Sequence, residues 1–445
     1  MQLGGLVFLM DFLPVFLILE AVVPEKRKTL LLMAANIVFY ALAGWRLLAL
    51  LFGVSLFAFL AGKSLEKHRD QARFYYVPVW ILVGLFIWKG HMAGLGLLPA
   101  AAFFILESLG YLGDIYSGKR EAEKNYGNFF FFLSYFPVSQ GGPVRTYKRI
   151  DFSETAVSAE DKKRGIKRFI EGLAMQSILG NVMQDMARRI LYDSVFRGAH
   201  LDLAFVWMGA FACGFYVYFT FYGACRMASG LSQYLGMALE KNFDHPLLCV
   251  SIEGFMKRFN GSVTRVWKNA LIDPAKSHVT EKREKVLYGA AFLLTGNLFG
   301  FHMMSYCWGA YMFLLWYLET RVLKGVVKQI PKAIRGIAVA ALVAMGWIVL
   351  LSPDMGKALV YIGQMVGIGT KGLWSPECVF LLVNRWYIWL FAFLSATPAL
   401  TFLKNRQTFI KKDGGIEDAV YICLLLLAVS YMFSGNGVQN LAGLL

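Results

Sequence analysis

The chain has 445 residues, of which 57% are hydrophobic and 16% aromatic, with a mean hydropathy of +0.52. Charged residues make up only 17%, below the ~25% of soluble domains. Hydrophobic runs recur from end to end, and no hydrophilic block is long enough to fold alone. This composition excludes a string of soluble domains and predicts one all-α, polytopic membrane domain.

The net charge of +16 belongs to short connections between hydrophobic runs, which argues against nucleic-acid binding. A spanning helix needs ~20 mostly apolar residues, so the runs predict roughly 11 transmembrane helices. Shorter apolar pieces at 129–138 and 358–368 are predicted to be re-entrant or interfacial segments around a central funnel. The predicted spans are 3–23, 30–43, 47–62, 74–88, 92–116, 169–186, 203–222, 286–318, 337–351, 379–402 and 419–433.

The first hydrophobic segment is predicted to stay in the membrane. No basic residue precedes it, and Asp11, Pro14 and Glu20 interrupt it, which is not typical of a cleaved signal peptide. Basic clusters follow at 26–28, 63–73 and 119–124. Since positive residues favour the cytoplasmic side, we predict a multi-pass protein of the cell membrane with its N-terminus outside.

Two later connections are strongly basic. Residues 144–168 carry eight Lys or Arg against four acids, and residues 257–285 carry eight against three. Attraction to anionic lipid, worth ~1 kcal/mol per basic residue, is the simpler explanation. The functional alternative is a cytoplasmic mouth that attracts an anionic substrate. Under that alternative we assign substrate binding to Arg145, Lys257, Arg258 and Trp267.

Cofactor and metal motifs are missing from the sequence. The six cysteines show neither paired CxxC spacing nor neighbouring histidines, so we predict no metal site and no disulfide framework. The sequence contains no P-loop, no dinucleotide fingerprint and no GxSxG elbow. We therefore expect no permanently bound cofactor.

His302 is the strongest candidate for chemistry. It is the seventeenth of 33 consecutive residues, 286–318, that include no Asp, Glu, Lys or Arg. An ionisable residue inside the membrane is by default a functional-site hypothesis, although a histidine bonded to a neighbouring helix is an equally good interpretation. The run would measure ~50 Å as one helix, against a hydrocarbon core of ~30 Å. It must therefore tilt, break or fold back.

Six blocks, read in order, resemble the membrane-bound O-acyltransferase (MBOAT) family, and the resemblance covers most of the chain from about Trp80. The similarity is to the bacterial branch that contains the alginate O-acetylation membrane protein and the D-alanyl transfer protein of teichoic acids. The resemblance implies a family core at 80–368, with peripheral helices at 1–79 and 369–445. The blocks are 107–116, 134–145, 218–231, 242–246, 255–260 and 299–302.

The resemblance also implies the site. His302 matches the family's central histidine, the expected catalytic base, and Asn260 matches the position where bacterial relatives usually show His. Asn there is similar to the protein-acylating members, which pair it with a downstream histidine. Arg226 replaces a common acidic residue, and Met303 follows His302 where a small residue is common. The catalytic residues predicted are His302 and Asn260.

The expected reaction moves an acyl group, acetyl or D-alanyl, from a cytoplasmic thioester to a hydroxyl of a polysaccharide or teichoic-acid-type polymer outside. The donor would be acyl-CoA or an acylated phosphopantetheinyl carrier protein. Outside, a secreted or membrane-anchored acyltransferase or esterase is an expected partner. Two alternatives stay open: a transporter or flippase of lipid-linked glycans, and a lysophospholipid or protein acyltransferase of the same family.

Overall fold

The computed structural model describes residues 3–88, 98–139, 141–148, 157–192, 198–275, 280–300, 302–399 and 414–433. Within these residues every regular element is a helix, which confirms the all-α fold class. The chain forms two compact units that interleave along the sequence. Unit 1 contains Met1–Phe169, Ala224–Asn242 and Asn260–Phe301, and unit 2 contains Ile170–Gly223, Phe243–Phe259 and His302–Leu445.

Eighteen α-helices lie within the described residues, joined by short 3₁₀ and π segments. In chain order they are α1 (Leu13–Val22), α2 (Lys28–Ala43), α3 (Trp45–Lys67), α4 (Arg73–Trp88), α5 (Leu98–Tyr116), α6 (Tyr126–Ser134), α7 (Ala159–Ala174), α8 (Asn181–Leu191), α9 (Leu203–Tyr234), α10 (Ile252–Arg258), α11 (Gly261–Trp267), α12 (Glu281–Gly296), α13 (Met303–Tyr317), α14 (Lys324–Gln329), α15 (Lys332–Leu351), α16 (Met355–Met365), α17 (Pro376–Ala396) and α18 (Gly414–Phe433).

Helix α5 is the centre of unit 1, where it packs against α3, α4, α6 and α11. Its side chains are almost all buried from Ala100 to Ile115. Gly113 allows close approach, because a Cβ there would lie 2.8 Å from the backbone oxygen of Asn269. The Tyr75 hydroxyl donates to the carbonyl of Ala270 at 2.6 Å. Unit 1 thus holds the residues after α11 directly against its central helix.

The core of unit 2 contains α13, α15 and α16. Trp308 of α13 stacks on Trp347 of α15 with ring centroids 5.6 Å apart, and both indoles are almost fully buried. Gly209 of α9 lies against the Tyr361 hydroxyl and Ile190. The stacking of Trp308 on Trp347 holds α13, which begins immediately after His302, against α15.

Five described helices are long and apolar enough to cross a membrane: α3, α9, α15, α17 and the last, with bounds Gly415–Phe433. They confirm a polytopic membrane protein, while the predicted number of about 11 spans stays a prediction. The predictions for 92–97 and 400–402 lie outside the described residues. The division of the chain at 79/80 and 368/369 also stays a prediction.

The observed helix bounds differ from several predicted spans, for example at α9. Helix α9 continues 12 residues beyond Tyr222 to Tyr234 and has 32 residues in all, because its C-terminal part is buried in protein. The long uncharged run is not one helix. It divides into α12, a 3₁₀ turn at Asn297–Phe299, and α13.

Candidate active site

His302 lies where the uncharged run breaks. Gly300 has φ +143, a left-handed backbone conformation that glycine adopts without a steric penalty. His302 is the N-cap residue of α13, with extended dihedrals of φ −141 and ψ 156. The break therefore takes the imidazole out of any continuous helix and places it at a helix start.

The imidazole contacts the first turn of its own helix. Ser305 Oγ lies 2.9 Å from His302 Nε2 and 3.3 Å from Nδ1. Ser305 is fully buried, while the histidine is half-buried. The neighbouring Met303 is 78% exposed. The ring is thus oriented by one hydroxyl and keeps an accessible edge.

Glu319, in the π segment that follows α13, contacts the start of α10. The Glu319 carboxylate accepts the backbone N–H groups of Ile252 at 2.9 Å and Glu253 at 3.2 Å. Ser251 Oγ accepts the N–H of Gly254 at 2.9 Å. The first N–H groups of a helix have no partner within the helix, so these two side chains together satisfy the start of α10.

Aromatic packing fixes α10 from its other side. Phe255 stacks on Phe259 at 5.3 Å, and Phe259 lies 5.3 Å from the ring of Trp347. Trp347 is in turn stacked on Trp308 of α13. Within unit 2, the helix that begins after His302 and the helix that ends before Asn260 are therefore rigidly joined.

Asn260 belongs to unit 1 and has an unusual backbone. Its φ of +54 and ψ of +47 are left-handed, a conformation that Asn tolerates better than most residues. It is the N-cap residue of α11 by backbone position, yet its side chain makes no capping hydrogen bond. The side chain is therefore available for another role, although it is only 8% exposed.

The amide of Asn260 is oriented by Asn242. The backbone N–H of Ser262, which can only donate, bonds to Asn242 Oδ1 at 3.0 Å. Asn242 Nδ2 must then be the donor to Asn260 Oδ1, at 2.8 Å. A neutral amide has one acceptor oxygen and two N–H donors. With its oxygen occupied, Asn260 donates its amide to no residue that the structure describes.

This pair extends into a buried network. The Cys225 thiol donates to the carbonyl of Gly141, and Asn242 Nδ2 lies 3.3 Å from the same sulfur. The N–H of Val144 donates to Ser262 Oγ at 2.9 Å. Residues of unit 1 that are distant in the sequence therefore surround the amide of Asn260, namely Gly141, Val144, Cys225, Asn242 and Ser262.

Arg145 adjoins this network. It forms a two-point ion pair with Glu107, through Nε at 2.8 Å and Nη2 at 3.1 Å, and its backbone N–H donates to the same carboxylate. Nη2 also donates to the carbonyl of Phe132. The guanidinium lies over the rings of Phe132 and Tyr135. Its Nη1 is buried without a partner among the described residues.

The other predicted binding residues differ in exposure. Lys257 and Arg258 are exposed at the end of α10, and Lys257 pairs with Glu253 at 2.6 Å. Trp267 is 1% exposed and contacts Phe86 edge-to-face at 5.3 Å. The structure thus groups Arg145, Asn260 and Trp267 in unit 1, and His302, Lys257 and Arg258 in unit 2.

Several residues of these surroundings were not singled out from the sequence. Asn242 stood within a recognised block, so its position was indicated without its role. Cys225 also stood within a recognised block, whereas Ser262 carries no local signal, because its partners are distant in the chain. Glu319 could have been noticed as the acid that ends the uncharged run. Ser305, three residues after His302, has the spacing of a first-turn contact.

Curated relatives match most of the chain. It is 27% identical to the probable alginate O-acetylase AlgI of Pseudomonas fluorescens over 387 residues, 82% of this chain and 76% of that protein. It is 25% identical to the probable alginate O-acetylase AlgI of Pseudomonas aeruginosa over 397 residues, 82% and 74%. It is 23% identical to the peptidoglycan O-acetyltransferase of Helicobacter pylori over 438 residues, 82% and 80%. No protein-family model matches the chain.

The spanning helices and the names of these relatives define a class, that of membrane-embedded acyltransferases. These relatives confirm the resemblance to the membrane-bound O-acyltransferase family that the ordered sequence blocks indicated. The roles of the individual site residues stay predictions.

Proposed function

We propose that the protein is an O-acetyltransferase of the cytoplasmic membrane that modifies a polymer outside the cell. The relatives are named for O-acetylation of alginate and of peptidoglycan, and they support this function for the present chain. The spanning helices support a position in the membrane, between a cytoplasmic donor and an external acceptor. The N-terminus lies outside in this proposal, with the basic clusters at 26–28, 63–73 and 119–124 on the cytoplasmic side.

His302 acts as general base. Its imidazole takes the proton of the acceptor hydroxyl as that oxygen attacks the thioester carbonyl carbon. The new C–O bond forms, the C–S bond breaks, and the imidazolium returns the proton to the leaving thiolate. The contact between Ser305 Oγ and Nε2 at 2.9 Å supports this role, because it orients the ring at an accessible helix start.

Asn260 stabilises the negative charge that develops on the carbonyl oxygen. A pre-oriented amide donor is an oxyanion-hole group, typically worth ~10²–10³ in kcat. The single observation that carries this role is the orientation of Asn242, whose bonds to Ser262 and Asn260 leave the Asn260 amide hydrogens as donors. Because the thioester is already activated, direct transfer needs no covalent enzyme intermediate.

The donor is an acetyl thioester of coenzyme A or of a carrier protein, and both carry phosphate. Lys257 and Arg258, exposed at the end of α10, attract it by long-range charge. A secreted or membrane-anchored acyltransferase or esterase would take part on the outer side. Arg145 and Trp267 support the site from inside unit 1 rather than by exposure to solvent.

The experiment uses membranes that contain the full chain with its cellular partners. Radiolabelled acetyl thioester is added, and label in the extracted polymer is counted for the wild type and His302→Ala. Loss of a general base is expected to reduce transfer ~10²–10⁴-fold. His200→Ala is the matched control, because His200 is an exposed histidine whose ring bonds to the carbonyl of Gly369. Unchanged transfer by His302→Ala would reject the proposal.

A further inference from the structure

A charged side chain lies in the middle of a membrane-spanning helix of unit 2. Arg385 is the tenth of the 21 residues of α17, and only 22% of the spanning stretch of this helix is buried inside the protein. An arginine at the centre of a span costs ~2.5–3.5 kcal/mol. Such residues are found where they face a polar cavity or a charged partner, and they mark functional sites.

Helix α17 is also distorted at this residue. Arg385 has φ −126 and ψ 19, outside the helical region. Sharp breaks usually occur at proline, but the proline of this helix, Pro376, lies at its first turn. A non-helical residue persists only where its surroundings hold it, and such residues cluster at binding sites. The distortion therefore makes the surroundings of Arg385 a candidate binding site.

Arg385 faces a polar cavity within unit 2. The cavity has a volume of about 190 Å³, smaller than the ~300–1,000 Å³ of drug-sized pockets, so it admits one small unit and not an extended ligand. Two aliphatic residues and five polar residues line it, and the polar ones are Asn181, Asp185, Arg385, Tyr387 and Tyr431. They come from α8, α17 and α18, so the site is built by three helices and not by one loop.

The ion pair in this cavity is loose. Arg385 Nη1 lies 3.5 Å from Asp185 Oδ2, longer than the ~2.7–2.9 Å of a charge-assisted hydrogen bond. The side chains of Arg385 and Asp185 are 29% and 39% exposed. Asp185 also pairs with Arg189 one turn later, at 3.2 Å. The Asp185 carboxylate is thus shared by two guanidiniums, and the Arg385 guanidinium is not held at hydrogen-bond distance by it.

The chemistry of the lining selects a class of ligand. One guanidinium and one carboxylate line the cavity, so it offers a charged donor and a charged acceptor side by side. Guanidinium N–H groups and a carboxylate are matched donors and acceptors for neighbouring hydroxyls. The phenol rings of Tyr387 and Tyr431 offer flat apolar faces together with hydroxyls. Neutral sugar rings present this combination of hydroxyls on the edge and C–H groups on the face.

We propose that the cavity at Arg385 binds a neutral sugar unit of the acceptor polymer. This inference rests on the proposed function, since it names the class of acceptor, but its test needs no acetyl transfer. The sugar exchanges water hydrogen bonds for bonds to Arg385 and Asp185, and one ring packs on Tyr387. The non-helical backbone at Arg385 aims the guanidinium into the cavity.

The test measures binding of N-acetylchitohexaose, a neutral hexasaccharide, to the full chain in phosphatidylcholine nanodiscs without donor. Arg385→Met keeps the length of the side chain and removes its donors, so we expect dissociation constants to rise ~10–100-fold, as for lost hydrogen bonds to a charged group. Arg385→Lys keeps the charge beside Asp185 and should recover only part of the affinity. Arg189→Met is the matched control, because Arg189 pairs with the same Asp185 but does not line the cavity.

Three outcomes would overturn the inference. The first is no saturable binding to the wild type, and the second is equal affinity for the wild type and Arg385→Met. The third is displacement of the sugar by phosphatidylglycerol in the nanodisc, which would identify a lipid headgroup as the occupant. Thermal unfolding of each variant shows that it is folded. His302→Ala tests the proposed function separately, because it removes transfer and leaves sugar binding intact.

Discussion

The two candidate catalytic residues are held in different ways. Asn260 belongs to a buried network in unit 1, where Asn242, Ser262 and Cys225 fix its amide. His302 is half-buried in unit 2 and is oriented by Ser305 within its own first turn. A group that stabilises charge must be fixed before the reaction, whereas a base must reach the proton of a variable acceptor. The difference in packing matches the difference in task.

Removal of the Asn260 amide donor tests the residue that is fixed by the buried network. Asn260→Asp keeps the size and tolerates the same backbone, but it replaces both amide hydrogens with an acceptor. We expect kcat for acetyl transfer to fall ~10²–10³-fold, as for an oxyanion-hole donor. The rate is measured with labelled thioester at saturating donor. A loss below threefold, with normal expression, would remove Asn260 from the mechanism.

The network should matter for stability as well as for rate. Asn242→Ala leaves the N–H of Ser262 and the Oδ1 of Asn260 unpaired, and a buried unpaired group costs ~1–3 kcal/mol. We expect a lower thermal midpoint in detergent and a lower kcat. Asn242→Asp is the sharper variant, because it still accepts from Ser262 but cannot donate to Asn260. If it kept both full stability and full rate, the orientation argument would be wrong.

Glu319 tests the connection between α13 and α10. Glu319→Ala removes the acceptor of two N–H groups at the start of α10, and loss of such a cap costs ~1 kcal/mol. We expect KM for the thioester to rise several-fold as Lys257 and Arg258 lose their fixed position. Glu253→Ala is the control, since Glu253 pairs with Lys257 on the exposed face and caps no helix. If both variants raised KM equally, the effect would come from the charge of the removed carboxylate and not from the position of α10.

The smallest effect on kcat is expected at Ser305, which orients His302. Ser305→Ala removes the hydroxyl beside His302 Nε2, and a net hydrogen bond near water is worth ~0.5 kcal/mol. We expect kcat to fall about two- to threefold, with the midpoint of unfolding nearly unchanged. Steady-state kinetics with the same donor checks this. A loss as large as that of Asn260→Asp would show that the histidine is as rigidly fixed as the asparagine.

The apolar helices could be predicted because their signal is local. Length predicted only that the 33 uncharged residues must tilt, break or fold back, and the break before His302 is the one of these that the structure has. The end of α9 was placed too early at residue 222, because burial in protein lets a helix continue past its apolar stretch. The surroundings of Asn260 could not be predicted, since Gly141, Cys225, Asn242 and Ser262 are brought together only by the tertiary fold.

The left-handed backbone of Asn260 has a consequence for variation at this position. Glycine adopts such dihedrals freely, and Asn and Asp do so with little penalty. Position 260 is therefore constrained twice, by its backbone conformation and by the amide donor that the reaction needs. A library of all twenty residues sorted for folded protein should be enriched in Gly, Asn and Asp, whereas the same library sorted for acetylated polymer should retain Asn alone.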